Sequence, residues 1–462
     1  MSTVQVKPSG NPRSLEEVHS SVSIPNNRFR RFFAFSGPAY LISVGYMDPG
    51  NWGTDLSAGA AYKYDLLWIV ALASFMAIIM QICSAKLGVV TGKDLAQACR
   101  DFYPSWTRWP NWIACELAIA ACDLAEVLGS AVALNLLFQI PMLWAVVITS
   151  FDVLLLLMLQ GLGMRLIEAV ILVLVATIAV CYGIEIFVLP QTKPDFLEMG
   201  KALINPGFRQ EGMVVGAIGI IGATVMPHNL YLHSALVQSR KIDRDEVSIG
   251  RAIHYNKIDT ILALTLAFTV NAAILILAAI VFHGRDSITL KTGAVVEFNA
   301  DSDWIQIAHL TLAPLVGTAT ASFLFAIALL ASGQSSTITG TMAGQVVMEG
   351  FIHWKLKPWI RRLITRLLAI IPAIIIIGMR GNNGITDLLI LSQVVLAMQL
   401  PFAMFPLLHF TCSRQRMGNF VNGPALRILG WLSFALITIF ALYGLPESFS
   451  KAVEVVLGKS EG

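Results

Sequence analysis

The sequence predicts an all-α polytopic membrane protein of eleven spans, built as two inverted repeats of five helices with an eleventh helix outside the repeat. Three observations carry this. The 462 residues are 56% hydrophobic and 13% charged, with a mean hydropathy of +0.70, a balance that a soluble core with a solvated surface does not have. Apolar runs of roughly spanning length recur along the chain. Two of these runs are interrupted by the same local pattern, a metal-capable side chain followed by Pro, any residue and Asn: Asp48-Pro49-Gly50-Asn51 in the first and Met226-Pro227-His228-Asn229 in the sixth.

Residues 1–32 are polar, with Pro8, Pro12, Pro25 and the cluster Ser20, Ser21 and Ser23, and show no cleavable signal pattern, so they are expected to form a flexible cytoplasmic tail. Apolar spans then follow at roughly 33–62 (broken), 66–88, 111–138, 142–160 and 164–189. After a connection at 190–211 come 212–238 (broken), 258–282, 305–332, 363–379 and 386–411, and finally 424–444 within an eleventh helix and tail at 412–462. Lys and Arg set the orientation. Arg28, Arg30 and Arg31 precede the first span, and Arg240, Lys241, Arg244, Arg251 and Lys257 crowd the sixth connection. Lys355, Lys357, Arg361 and Arg362 crowd the eighth, and Arg414 and Arg416 the tenth; all these lie on one side, which places the amino terminus in the cytoplasm and the carboxyl terminus outside. The first span then leaves the cytoplasm while the sixth enters it. Two five-span halves, 33–189 and 212–411, of opposite topology account for that, and such repeats put a transport site near the bilayer midplane between them.

Composition excludes several classes. The net charge of +3 is spread over short loops and implies no nucleic-acid partner. Six cysteines (Cys83, Cys99, Cys115, Cys122, Cys181, Cys412) include no CxxC pair, so neither a disulfide framework nor a zinc cluster is indicated. The partners expected are the bilayer and a small solute.

The two breaks carry the chemistry. Pro removes a backbone donor and Gly lets the chain leave helical geometry, so carbonyls near each break lose their partners and need protein, water or a ligand. Asp48 offers a hard anionic oxygen, Asn51 an amide oxygen, Met226 a soft thioether and Ala223, just before the Pro227 break, a freed carbonyl. Taken alone, Met226 is core filler, one of sixteen methionines. Beside Asp48 in a matched break it reads as a ligand, and sulfur favours manganese, iron, cobalt or cadmium over magnesium and calcium. One carboxylate does not balance a dication, so a proton route is expected as well. Asp123 and Glu126 lie on one face of the third span; His228 and His233 follow the second break; Arg366 in the ninth span can hold a carboxylate ionised. The competing reading makes Asp123, Glu126 and Arg366 a structural ion-pair network. Gln393 sits where a late-arriving ligand would close the site, while Asn271 and Thr224 read as pathway lining or as interhelical hydrogen bonds. Gly216, Gly219 and Gly222 read as a packing face, and Gly333 to Gly340, rich in helix competitors, as a hinge or cap.

On Asp48-Pro49-Gly50-Asn51, Ala223-Thr224-Val225-Met226-Pro227-His228-Asn229, Gly333-Gln334-Ser335-Ser336-Thr337-Ile338-Thr339-Gly340, and Ser392-Gln393 before Gln399-Leu400-Pro401-Phe402, the chain closely resembles the natural-resistance-associated macrophage protein (Nramp) family of divalent metal transporters. The resemblance implies a leucine-transporter-like fold and proton-coupled import of manganese or ferrous iron, with cadmium, cobalt and zinc accepted. A bacterial member, functional as a monomer, is expected. By the same resemblance Asp48, Asn51, Met226, the Ala223 carbonyl and Gln393 bind the metal, and His228, Asp123, Glu126, Arg366 and Asp48 carry the proton. No resident cofactor and no enzymatic activity are expected. The alternatives are an amino-acid symporter of the same architecture, a passive cation channel, and an intramembrane metalloenzyme using His228 and His233, for which the His-x-x-x-His spacing and paired Glu are missing.

Overall fold

The computed structural model describes residues 14–15, 19–25, 27–151, 164–184, 194–210, 212–285, 287–289, 295–297, 305, 307–308, 319–354, 356–380 and 384–457. The second half of the predicted fourth span, the end of the fifth and the start of the eighth lie outside these residues.

The first span is not one helix. It runs as α1 (Arg28–Phe35), α2 (Pro38–Ser43), a 3-10 turn at Val44–Met47 and α3 (Pro49–Tyr62). Gly37, at φ +139°, makes the first bend, which L side chains rarely adopt. The second bend is at Asp48, whose extended backbone precedes Pro49 as the first residue of α3. Proline is tolerated there because the first turn of a helix has unbonded N–H groups in any case. The second span is α4 (Leu67–Thr91); α5 (Leu95–Phe102) is a short connecting helix opened by an Asp94/Gln97 capping box; α6 (Arg108–Phe138) is the third span and α7 (Met142–Thr149) the described part of the fourth. The fifth is α8 (Met164–Gly183), followed by a surface helix, α9 (Phe196–Ile204).

The sixth span repeats the broken design as α10 (Met213–Thr224) and α11 (Pro227–Leu236), with Val225 and Met226 out of helical conformation and Pro227 again first in its helix. Then come α12 (Glu246–Val281), α13 (Ala319–Ile352), α14 (Pro358–Arg380), α15 (Gly384–Thr411), the single turn α16 (Arg414–Met417) and α17 (Pro424–Leu457). Eight of the described helices are long and apolar enough to cross a membrane, counting the broken α10–α11 unit as one. A two-stranded antiparallel hairpin, β1 (Ser287–Thr289) with β2 (Val295–Glu297), follows α12 and was not expected from the apolar pattern.

Three findings change the sequence reading. Gly333 to Gly340 is neither hinge nor cap: it is uninterrupted helix in the middle of α13, where packing along α6 outweighs the weak helix preference of Ser, Thr and Gly. The seventh span starts at Glu246, about three turns earlier than its apolar run, because polar residues continue the helix beyond the bilayer. The described tail residues are docked: Ser20 N–H donates to Gln238 O (3.0 Å), Val22 N–H to Ser239 O (2.9 Å) and Lys241 N–H to Val22 O (2.9 Å).

The broken spans sit inside the helix bundle. α3 packs along α12 and α10, and α11 lies against α4, α13 and α15. The small-residue face is packing, as expected. A Cβ on Gly219 would touch Thr54 Cγ2 at 3.3 Å, and one on Gly222 would meet the Gln393 carbonyl at 2.8 Å.

Candidate metal and proton site

At the first break Asp48 is the cap of α3. Its Oδ1 accepts from Asn51 N–H at 3.0 Å and from Asn51 Nδ2 at 2.6 Å. An acid at this place is favoured by the positive end of the helix dipole, and a capping bond is worth about 1 kcal/mol. Its Oδ2 has no hydrogen-bond partner among the described residues and is fully buried. An uncompensated carboxylate oxygen at bilayer depth is costly and calls for a cation beside it.

The second break supplies the facing group. Asn51 Nδ2 also donates to Ala223 O at 3.1 Å, while Asn51 Oδ1 accepts from Thr224 Oγ1 and from Asn271 Nδ2, each at 3.3 Å. The amide nitrogen of Asn51 therefore stands between the Asp48 carboxylate and the Ala223 carbonyl, as a small cation would. Rotating that amide by half a turn brings its oxygen to the same point. Met226 is the extended residue of the second break, fully buried in a cluster with Ala118 and Cys122 of α6 and Leu396 of α15. Gln393 is close by: a Cβ on Gly50 would fall on its side-chain amide, its Nε2 donates to Ser392 Oγ at 3.0 Å, and its Oε1 has no partner among the described residues. The site is sealed. Asp48, Asn51, Ala223 and Met226 are all 0% exposed, and Trp52 is wedged edge-on against Tyr182 and Phe325.

Glu126 lies in a ring of hydroxyls. Its Oε1 accepts from Ser336 Oγ (2.8 Å) and the Cys122 thiol (3.5 Å), and its Oε2 from Thr337 Oγ1 (3.1 Å). Arg366 donates to Thr337 Oγ1 at 3.2 Å and reaches the Asp123 carbonyl at 3.5 Å. His228 Nε2 is 3.8 Å from Cys122 Sγ, so a polar chain leads from the second break through Cys122 to Glu126 and on through Thr337 to Arg366. His233 is elsewhere. Its Nδ1 donates to Gln81 Oε1 at 2.9 Å, and Gln81 Nε2 donates to Tyr46 OH at 2.7 Å, which ties α11 to the turn before Asp48.

The structure thus joins Asp48 to Asn51 and Asn51 to Ala223, puts Gln393 beside Gly50, seats Met226 of the second break against Cys122, and connects His228, Glu126 and Arg366 through bonded side chains. Thr224 and Asn271, which the sequence left open between pathway lining and interhelical hydrogen bonds, hold the Asn51 amide. Sequence reading missed other participants: Cys122, noted there only as one of six scattered cysteines, joins His228 to Glu126. Asp55 is 1% exposed, with neither carboxylate oxygen partnered among the described residues; a carboxylate one turn past Asn51 in an apolar span was the available signal. A buried cluster of Arg240, Glu168 and Asp259 also escaped notice: Arg240 donates to Glu168 Oε1 (2.6 Å) and to Ala34 and Ser36 carbonyls, while Asp259 accepts from Ala39 N–H (3.0 Å) and Ser36 Oγ (3.2 Å), so the bend at Gly37 is satisfied by Arg240, just past α11, and by Asp259 of α12.

The profile of the natural resistance-associated macrophage protein-like family matches residues 39–447. The chain belongs to the Nramp family. It is 49% identical over 434 residues to the divalent metal cation transporter MntH of Nostoc sp., covering 92% of this chain and 94% of that protein. It is 48% identical over 440 residues to the MntH of Listeria innocua, covering 94% and 95%. Among solved structures it resembles the manganese transporter of Eremococcus coleocola, solved with an aromatic bis-isothiourea compound, at TM-score 0.86 and 38% identity, covering 98% of this chain and 93% of that one. This Nramp chain therefore has the leucine-transporter-like architecture, is a multi-pass membrane protein of a transporter family, and is not an enzyme.

Proposed function

We propose that this chain is a proton-coupled importer of divalent transition metals, manganese or ferrous iron foremost, with cadmium, cobalt and zinc also accepted, and that it works by alternating access as a monomer with its amino terminus in the cytoplasm. One observation carries the reading. The Asp48 carboxylate, the Asn51 amide and the Ala223 carbonyl meet at two paired helix breaks, and one carboxylate oxygen there has no partner among the described residues. The relatives named as divalent metal cation or manganese transporters support it.

Metal binding replaces the Asn51 N–H contacts. The amide turns its oxygen inward, so that Asp48, Asn51 and Ala223 present three oxygens, Met226 contributes its sulfur, and Gln393 closes over the ion from α15. Thr224 can accept as readily as donate, and so it can follow the rotated amide. The sulfur sets selectivity, because magnesium and calcium gain nothing from a thioether. The sealed state forces the ion to cross by rearrangement rather than through an open pore, with Trp52 releasing Tyr182 and Phe325 on one side and the α1–α2 bend opening on the other. The proton leaves through His228, Cys122, Glu126 and Asp123, with Arg366 supplying the positive charge that lets the acids release it.

Manganese uptake into proteoliposomes loaded with a chelating dye tests this: Asp48→Ala should abolish uptake, and wild-type uptake by that variant would refute the site. An amino-acid symporter would show manganese transport competed by amino acids. A channel would fail to accumulate manganese against its gradient.

A further inference from the structure

We infer that α9, on the connection between the fifth and sixth spans, is an interfacial helix that lies in a phospholipid headgroup layer and fastens the far end of α3 to the bilayer. Asp195 caps this helix, accepting from Leu197 and Glu198 N–H groups at 3.0 Å each. Its large apolar residues point away from the protein: Phe196 is 67% exposed, Leu197 71% and Ile204 84%, with Leu203 also exposed. At 100° per residue these four share an arc of about 120°. Such a face on a helix surrounded by water is unfavourable, whereas it is the signature of a helix lying in a membrane interface.

The opposite face is held by protein. Ala202 is buried, and Glu198 binds Lys63 through both carboxylate oxygens, at 2.8 and 2.6 Å. Lys63 is the residue that ends α3, the helix that begins beside Asp48. Two further observations choose lipid over a protein partner. Just beyond α9, Phe208 packs on Trp68 of α4 and on Phe440 of α17, with ring centroids 5.5 and 6.4 Å apart. Only 17% of the apolar stretch of α17 is buried, the smallest share among the candidate spans described, so α17 is a bilayer-facing helix, and the chain leaving α9 is anchored on it through Phe208. Lys201, exposed at the rim of the apolar arc, suits a lipid phosphate, with its stem along the apolar side and its ammonium at the headgroups.

The inference does not rest on the metal reading, and its test does not use transport. A nitroxide is placed at position 204 or 197 (Ile204→Cys, Leu197→Cys) in a Cys412→Ser background, with Gln210→Cys as an exposed comparison. Collision rates with oxygen, which partitions into lipid, and with a water-soluble nickel chelate are then measured in phosphatidylglycerol-containing liposomes. The expected result is an oxygen-to-nickel ratio several-fold higher at 204 and 197 than at 210. Equal ratios at all three sites would mean a water-exposed helix and would overturn the inference. So would low access to both reagents with spin–spin broadening, which would mean that a second copy of the chain covers the face. Because all three side chains are exposed, folding is not at risk in these variants.

Discussion

At the scale of single residues, the site is decided by which atoms lack a partner. Among the described residues Asp48 Oδ2 and Gln393 Oε1 are buried with no partner, and a group in that state costs free energy until a ligand satisfies it. Met226 is the selectivity residue of the set. Met226→Ala should weaken discrimination against calcium and magnesium more than it weakens manganese binding, as read by calorimetric titration of each ion; equal losses for all ions would mean that the sulfur never touches metal. Glu126 accepts from the Ser336 and Thr337 hydroxyls and the Cys122 thiol, an arrangement that suits a group passing a proton on. Glu126→Gln should uncouple internal acidification from manganese uptake, followed with a pH dye and a metal dye in the same vesicles. Unchanged acidification would return Asp123, Glu126 and Arg366 to the role of a structural network.

At the scale of elements, the breaks depend on close backbone approach. A Cβ on Gly59 of α3 would run into the Leu275 carbonyl of α12, a backbone atom that cannot step aside, whereas one on Gly378 of α14 meets nothing within 4 Å. Gly59→Ala should therefore destabilise by about 1–3 kcal/mol and lower Tm in detergent, while Gly378→Ala should be neutral or slightly stabilising because Ala is the better helix former. The short helix α5 gives a pH prediction. Asp94 caps it through Gln97 N–H at 2.8 Å, yet burial pushes its carboxyl up to about 6, the cap bonds offsetting only part of that. Below the unfolded value, about 4, the group is protonated in both states. As pH rises from there through 6, the unfolded chain loses its proton first and the folded state is penalised, so this stabilising contribution is lost over that window. Asp94→Asn keeps the capping oxygen and should flatten that part of the dependence of Tm on pH.

At the scale of the whole molecule, a sealed site between two broken spans implies motion of one group of helices against another. Concentrative manganese uptake should therefore persist with an imposed inward proton gradient and collapse when a protonophore removes it; accumulation unaffected by the protonophore would dismiss proton coupling. The fold itself was largely legible. Among the described residues the long apolar runs are helices, because a backbone in lipid must satisfy its own hydrogen bonds, and both Pro breaks lie where the two motifs put them, at Pro49 and Pro227. Boundaries and the loop hairpin were less legible, since polar helical extensions such as the start of α12 carry no apolar signal.

The sequence by itself determined the membrane class, the positions of the two breaks and the kinds of donor atoms placed there, because proline geometry and the expense of polar atoms in hydrocarbon act locally. Only the tertiary structure decided which of those atoms meet. Asn51 is joined to Ala223, Thr224 and Asn271 across more than 170 residues of chain, and the stretch from Gly333 to Gly340 became a straight helix whose Ser336 and Thr337 bind Glu126. Local preference had pointed the other way there. Packing against α6 and the hydrogen bonds of a buried carboxylate outweighed it, and neither can be read from neighbours in sequence.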